Sequence, residues 1–283
     1  MTTTNLPGAV TVTDVRPAAV ASASVRSYPV RDSLTMLRRN IKNQMRDPVS
    51  ILAIIGIPVL FLLLFVYVFG GALGTALPHQ GSAHYVDYVL PGLIIMTAAA
   101  GLIGSSTATS VDMTEGIIAR FRTMAIFRSS ILIARVVSSV IQTLASMAFV
   151  FGVALLMGFT PRASLLAWLG VVGLLVFITV ALTWLGLAFG LAAKSVATAS
   201  NAPFPLILLP LVGSGIVPTA TMPTAVRLFA QYQPFTPMIE SLRGLLLGTP
   251  VGNSPVIAVG WCAVITVLGV FWSVKAFNRD RTH

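Results

Sequence analysis

The chain has 283 residues, of which 56% are hydrophobic and 9% charged, and it carries a net charge of +10. A chain this apolar is not a soluble domain, and its basic residues gather at the ends of apolar stretches, which ties them to lipid headgroups and topology instead of nucleic acid. The single cysteine, Cys262, lies inside an apolar run and excludes an intramolecular disulfide or a cysteine metal cluster.

Residues 1–30 are rich in Thr, Ala, Val, Pro and Ser and lack the uninterrupted apolar core of a secretory signal, so they read as a disordered cytosolic tail. From Ser33 to Arg46, Leu34, Leu37, Ile41 and Met45 recur at three- and four-residue steps while Arg38, Arg39, Lys42 and Arg46 fall largely elsewhere. This predicts an interfacial amphipathic helix, stopped by Asp47-Pro48. It reads either as an anchor for the first membrane span or as a partner contact.

Six apolar stretches come next, near 51–69, 88–108, 131–157, 165–192, 196–217 and 256–277. Each fits a bilayer core, which needs about 20 helical residues. The fifth, with Pro203, Pro205, Pro210 and Gly213-Ser214-Gly215, predicts a kinked helix, and Pro58 and Pro91 are placed to bend the first two. Counting Lys and Arg gives 15 on one side and three (Arg162, Arg227, Arg243) on the other, which puts both termini in the cytosol. Tyr67, Tyr85, Tyr88, Trp168 and Tyr232 then fall near the outer boundary and Trp272 near the inner one.

Between the second and third stretches lies DMTEGIIARFRTMAIFR, residues 112–128. Asp112 with Glu115 three residues on makes a capping-box pattern for a short helix carrying Ile117, Ile118, Phe121 and Met124 beside Arg120 and Arg122. The segment reads either as a topology-setting loop or as a docking element. Before the sixth stretch, PTAVRLFAQ and FTPMIESLRGLLLG are apolar-rich but too short to span, and they are divided by Tyr232-Gln233-Pro234. They predict a re-entrant or interfacial hairpin that carries Pro234 and Pro237 and in which Glu240 and Arg243 share a face and can pair.

No GxxxxGK[ST], HExxH or zinc-spaced His/Cys set occurs, so the sequence offers no catalytic residue, metal site or ATP site of its own. The interiors of the six stretches hold no ionisable residue, which argues against a membrane enzyme. Their polar residues are neutral: Thr97, Ser105, Ser106, Ser138, Ser139, Gln142, Thr143, Thr179 and Thr183. Most serve helix packing, as does Gly186-xxx-Gly190, while Ser106, Gln142, Thr143 and Thr183 are candidate pathway residues for a bulky, apolar cargo.

Four segments, in order and spacing, bring a family into view: FLLLFVYVFGGALG, YVDYVLPGL, DMTEGIIARFRTMAIFRSS, and VPTATMP with YQPFTPMIESLRGLLLGTP after it. From about Asp32 to Phe277 the chain resembles ABC-2 type exporter permeases, above all the daunorubicin-resistance-type antibiotic exporters of actinobacteria. The resemblance implies an all-α membrane domain over residues 31–283: an N-terminal interfacial helix, six transmembrane helices, a cytosolic coupling helix between spans two and three, and a re-entrant hairpin before span six. It implies two such permeases, identical or paired with a sister, in the bacterial plasma membrane on two separate ATPase subunits that bind ATP and Mg, this chain binding no cofactor. By carry-over Asp112, Gly116, Arg120, Phe121, Arg122 and Arg128 match the coupling segment, joined by Glu115 from the capping pattern. Ala119 stands where an acidic residue is frequent and Ala125 where a proline is. Export of an apolar drug or antibiotic is the expectation, with a lipid or lipid-linked glycan as the alternative cargo, and a non-transporting membrane protein or membrane enzyme as readings of another class.

Overall fold

The computed structural model describes residues 48–71, 82–115, 128–219 and 222–278. The expected tail and interfacial helix of residues 1–47 lie outside the described residues. Within them the regular structure is helical: α1 (Pro48–Leu63), which runs on as a π-helical segment (Leu64–Phe69), α2 (Ser82–Thr114), α3 (Arg128–Leu156), α4 (Leu165–Ala192), α5 (Val196–Asn201), α6 (Phe204–Val212), α7 (Thr224–Tyr232), α8 (Phe235–Leu247) and α9 (Ser254–Asn278).

Four of these, α2, α3, α4 and α9, are long and apolar enough to cross a membrane, and two shorter apolar segments, Gly56–Phe69 and Val196–Val212, accompany them. The first, third, fourth and sixth apolar stretches coincide with helices to within a few residues. α2 is longer than its stretch at both ends, which brings Asp87 and Asp112 into the helix. The fifth stretch is not one kinked helix. It divides into α5 and α6 around Ala202-Pro203 and stops at Gly213. Pro203 and Pro205 both lack the amide that would continue the hydrogen-bond ladder, so the helix restarts instead of bending.

α2 is the axis of the bundle, with Val86, Val89, Leu90, Ile95, Ala99 and Leu102 among its buried side chains. Apolar helices in lipid gain little from burying more apolar surface, so close backbone approach and interhelical hydrogen bonds decide how they pack. The α2–α4 seam works this way. A Cβ on Gly186 or Gly190 would run into the carbonyl of Leu102 or Ser106, so the two glycines let one turn of α4 lie directly on α2. Ser105 donates to the Thr183 carbonyl (3.3 Å) and Ser106 to that of Ala199 (2.8 Å), tying α4 and α5 to the same helix. α9 joins α4 in like manner: Gly269 faces the Trp184–Leu185 backbone, and Ser273 donates to the Trp184 carbonyl at 3.2 Å.

The outward faces of α1, α4 and α9 carry Leu60, Tyr67, Leu165, Leu169, Val256, Val267 and Phe271, each more than half exposed. Such a belt is intolerable in water over this extent and is what a helix turns toward lipid or a second apolar subunit.

Candidate functional site

At one end of α2, the capping-box reading of Asp112 fails. α2 continues through Thr114, Glu115 closes its last turn by donating its amide to the Val111 carbonyl (2.9 Å), and Asp112 is a residue of that last helical turn. Its carboxylate forms an ion pair with Arg135 of α3, and Arg135 also donates to the Ala108 carbonyl at 2.6 Å. The D-x-x-E spacing is the same whether it opens a helix or closes one, so the pattern alone gave the wrong sense. Arg135 is 12% and Asp112 26% exposed, so the pair is largely shielded from solvent and clasps α2 to α3 at the root of the segment between them. Gly116, Arg120, Phe121 and Arg122 lie outside the described residues; Arg128 opens α3, and Glu115 is exposed.

At the other end, α7 and α8 form the expected pair of short helices, separated at Gln233-Pro234. Pro234 precedes α8, and Pro237 sits within its first turn, where a proline's missing amide costs nothing. α8 is buried along most of its length, with Met238, Ile239, Leu242 and Leu246 fully so. It ends on Gly248 in the left-handed region (φ 68°), and the Leu246 carbonyl accepts from the Arg162 amide (2.9 Å), fastening the hairpin to the α3–α4 connection. α7 differs, exposing Leu228, Phe229 and Tyr232.

The expected Glu240–Arg243 pair is replaced by two separate sets of contacts. Glu240 accepts from the Ser254 hydroxyl at 3.3 Å, at the start of α9. Arg243 turns to α2, donating from Nε (3.3 Å) and Nη2 (3.1 Å) to the Tyr88 carbonyl and from Nη2 to the Ser214 carbonyl (2.5 Å). Its guanidinium lies 3.8 Å from the centroid of the Tyr88 ring. Tyr88 stands one turn before Gly92 in α2, next to Asp87, whose carbonyl is the one that Pro91 leaves without its helical amide donor. Tyr85 is buried and Tyr88 partly buried under Arg243, whereas Tyr67 and Tyr232 are 72% and 77% exposed.

The candidate pathway residues sit mid-bundle. Ser106, Thr143 and Thr183 are buried in the contacts among α2, α3, α4 and α5, Thr143 against Gly101, while Gln142 is partly exposed. Sequence reasoning missed a neighbouring feature. A cavity of about 300 Å³ lies between the C-terminal half of α3 and the N-terminal half of α4 and is lined by Ile94, Met147, Phe151, Trp168, Val171 and Leu175, with Phe151 and Trp168 meeting edge to face at 5.5 Å. Its lining is almost wholly apolar, and apolar residues on an inward helix face carry no sign that distinguishes a cavity wall from packed core. Among the described residues no group of His, Cys, Asp and Glu is arranged to hold a metal ion.

The family model of the ABC-2 type transporter matches residues 32–247. A daunorubicin resistance ABC transporter permease protein, DrrB1 of Streptomyces coeruleorubidus, is 25% identical over 264 residues, covering 91% of this chain and 90% of that protein. A probable doxorubicin resistance ABC transporter permease protein, DrrC of Mycobacterium tuberculosis, is 24% identical over 258 residues, covering 90% of this chain and 91% of that one. A bundle of apolar helices, matched over most of its length by one family model and over about nine-tenths of it by two permeases, leaves one conclusion: the chain belongs to the ABC-2 type transporter family.

Proposed function

We propose that this chain is the transmembrane subunit of an ATP-driven exporter that moves an apolar drug or antibiotic out of the cell, with ATP and Mg bound and hydrolysed on a separate ATPase subunit. The observation that carries the reading is the family match across residues 32–247 in a chain without a phosphate-binding GxxxxGK[ST] loop. The names of its relatives, resistance permeases for daunorubicin and doxorubicin, support the cargo class. So does the apolar cavity between α3 and α4, which this reading makes a contact for cargo, with Gln142 the one of the four neutral pathway residues that has exposed surface to offer.

In this reading α1, α2, α3, α4, the α5–α6 segment and α9 are six spans, both termini are cytosolic, and α7–α8 is a re-entrant hairpin on the outer side. Two permeases, identical or sister chains, sit on two ATPases. The segment of residues 116–127 is the coupling element: Phe121 would fill an apolar groove in the ATPase, Gly116 would allow close approach, and Arg120, Arg122 and Arg128 would meet an acidic rim, with Glu115 at the segment's start. Asp112 acts from behind, by holding Arg135.

The test is to co-purify the chain with its ATPase, reconstitute the complex in vesicles, and measure ATP hydrolysis and daunorubicin efflux for the wild type, Arg120→Glu and Phe121→Ala. Export predicts ATP-dependent efflux by the wild type, and both variants should lose efflux and cargo-stimulated hydrolysis while the ATPase keeps its basal rate. Unchanged coupling in both variants would remove these residues from the coupling role.

A further inference from the structure

The outer half of α2 presents Tyr85, Tyr88 and Gly92 at spacings of three and four, on one helix face; Tyr85 and Gly92 meet the irregular turn between α6 and α7 directly, and Tyr88 reaches it through Arg243. Tyr85 donates its hydroxyl to the Ile216 carbonyl at 3.3 Å. A Cβ on Gly92 would fall 2.5 Å from the Gly215 Cα and 2.6 Å from its carbonyl oxygen, so only a glycine lets the two backbones touch. Between them, Arg243 of α8 joins the Tyr88 and Ser214 carbonyls and covers the Tyr88 ring. One planar side chain thus connects three elements: the Tyr88 turn of α2, the turn at 213–216, and the buried hairpin helix.

We infer that Arg243 is a positioning residue for transport, which makes the α7–α8 hairpin and the 213–216 turn move as one body with the outer half of α2. It is not a cation for cargo. Its Nε and one Nη are committed to backbone carbonyls and one face of the guanidinium to an aromatic ring, so it has no free directed charge toward a ligand on that side. What makes the link consequential is the far end of the same helix. Asp112, 24 residues and about 36 Å along α2 at ~1.5 Å per residue, carries the clasp to Arg135 beside the 116–127 segment. Glycine contacts with α4 hold α2 along its inner half, so a displacement imposed at the Asp112 end is delivered to the Arg243 end as a rigid tilt of the helix and not absorbed by sliding. The inference rests on the exporter reading for its functional sense, and on the geometry alone for the existence of the link.

The expected substitution pattern is specific. Arg243→Lys keeps the charge but supplies one donor centre in place of the planar fork and cannot stack in the same way. In the reconstituted complex it should lower daunorubicin turnover at least tenfold, with KM changed less than twofold and basal ATP hydrolysis within twofold of wild type. Gly92→Ala, on the same seam, should give the same split, and the double variant should be no worse than the poorer single one. Turnover retained in Arg243→Lys, a raised KM with turnover intact, or losses that multiply in the double variant would each overturn the inference.

If Arg243→Lys fails to assemble, Tyr88→Leu leaves the carbonyl acceptors in place and removes only the ring; a three- to tenfold fall in turnover is expected, and an unchanged turnover overturns the link. If the wild-type complex moves no daunorubicin, the exporter reading is what has failed. The link is then read by hydrogen exchange of the amides of residues 213–217, which should be at least fivefold faster in Arg243→Lys than in wild type; equal rates overturn it.

Discussion

The Asp112 carboxylate and the Arg135 guanidinium meet across the gap between α2 and α3, so the two helices that precede and follow residues 116–127 are fastened to one another in the last turn of α2. Two helices joined by such an ion pair resist being moved apart at that end. Arg135 also holds the Ala108 carbonyl, one turn further into the bundle, so the two partners are not interchangeable.

Exchanging the charges by Asp112→Arg with Arg135→Asp should therefore recover only part of what either single variant loses, because an aspartate at 135 cannot donate to Ala108. Each single change sets two like charges against each other in a largely shielded place and should cost about 1–3 kcal/mol or more. Thermal unfolding of the purified protein in detergent should show the order wild type, then the double exchange, then the singles. A double exchange as stable as wild type would mean that the Ala108 contact contributes nothing.

The α2–α4 seam gives a sharper stability prediction. Gly186→Val and Gly190→Val each place a branched side chain against the α2 backbone, at Leu102 and Ser106 respectively, and neither carbonyl can withdraw from its own helix. Overpacking of this kind costs about 1–3 kcal/mol. Ser105→Ala removes one interhelical hydrogen bond to the Thr183 carbonyl of α4 and should cost only about 0.6 kcal/mol, since such bonds in membranes average that much. If Ser105→Ala is the more damaging change in the same thermal assay, close packing is not what holds this seam.

How much of the fold and the site is legible in the sequence differs by element. Hydropathy and length reveal the long helices because about 20 apolar residues have few alternative fates, and the Gly186-xxx-Gly190 seam is legible because small residues one turn apart make a flat face. Arg243 misleads for a physical reason. Glu240 lies three residues away and a sequence shows neighbours along the chain, whereas the true acceptors, the carbonyls of Tyr88 and Ser214, are separated from it by 155 and 29 residues. Backbone carbonyls carry no signature in the sequence, so nothing along the chain marks these two as acceptors. The division of the fifth stretch is half visible in its prolines, which announce a break but not whether the helix bends or restarts.

Cys262 gives a simple check on the packing of α9. Its side chain is fully buried in the main core although much of the rest of the helix is exposed. A hydrophilic maleimide should label less than about a tenth of the folded protein in an hour and most of it after denaturation in SDS, as read by intact mass. Rapid labelling in the folded state would mean that this face of α9 is open to water.

The apolar cavity offers the most direct approach to cargo contact. Ala148 lines its exposed side on α3, with Val172 facing it from α4. Ala148→Phe would place a ring into a space of about 300 Å³ without displacing a buried neighbour, so its effect on stability should stay within about 1 kcal/mol. If cargo rests there, the KM for daunorubicin should rise at least fivefold while basal ATP hydrolysis stays within twofold of wild type. Phe151→Ala should act on the same parameter from one turn further along α3, by removing the ring that meets Trp168, but at a larger stability cost of about 3 kcal/mol because that ring is packed against both Phe159 and Trp168. A KM unmoved by Ala148→Phe in a stable, assembled complex would exclude the cavity as a cargo contact and leave the surface around Gln142 as the next place to look.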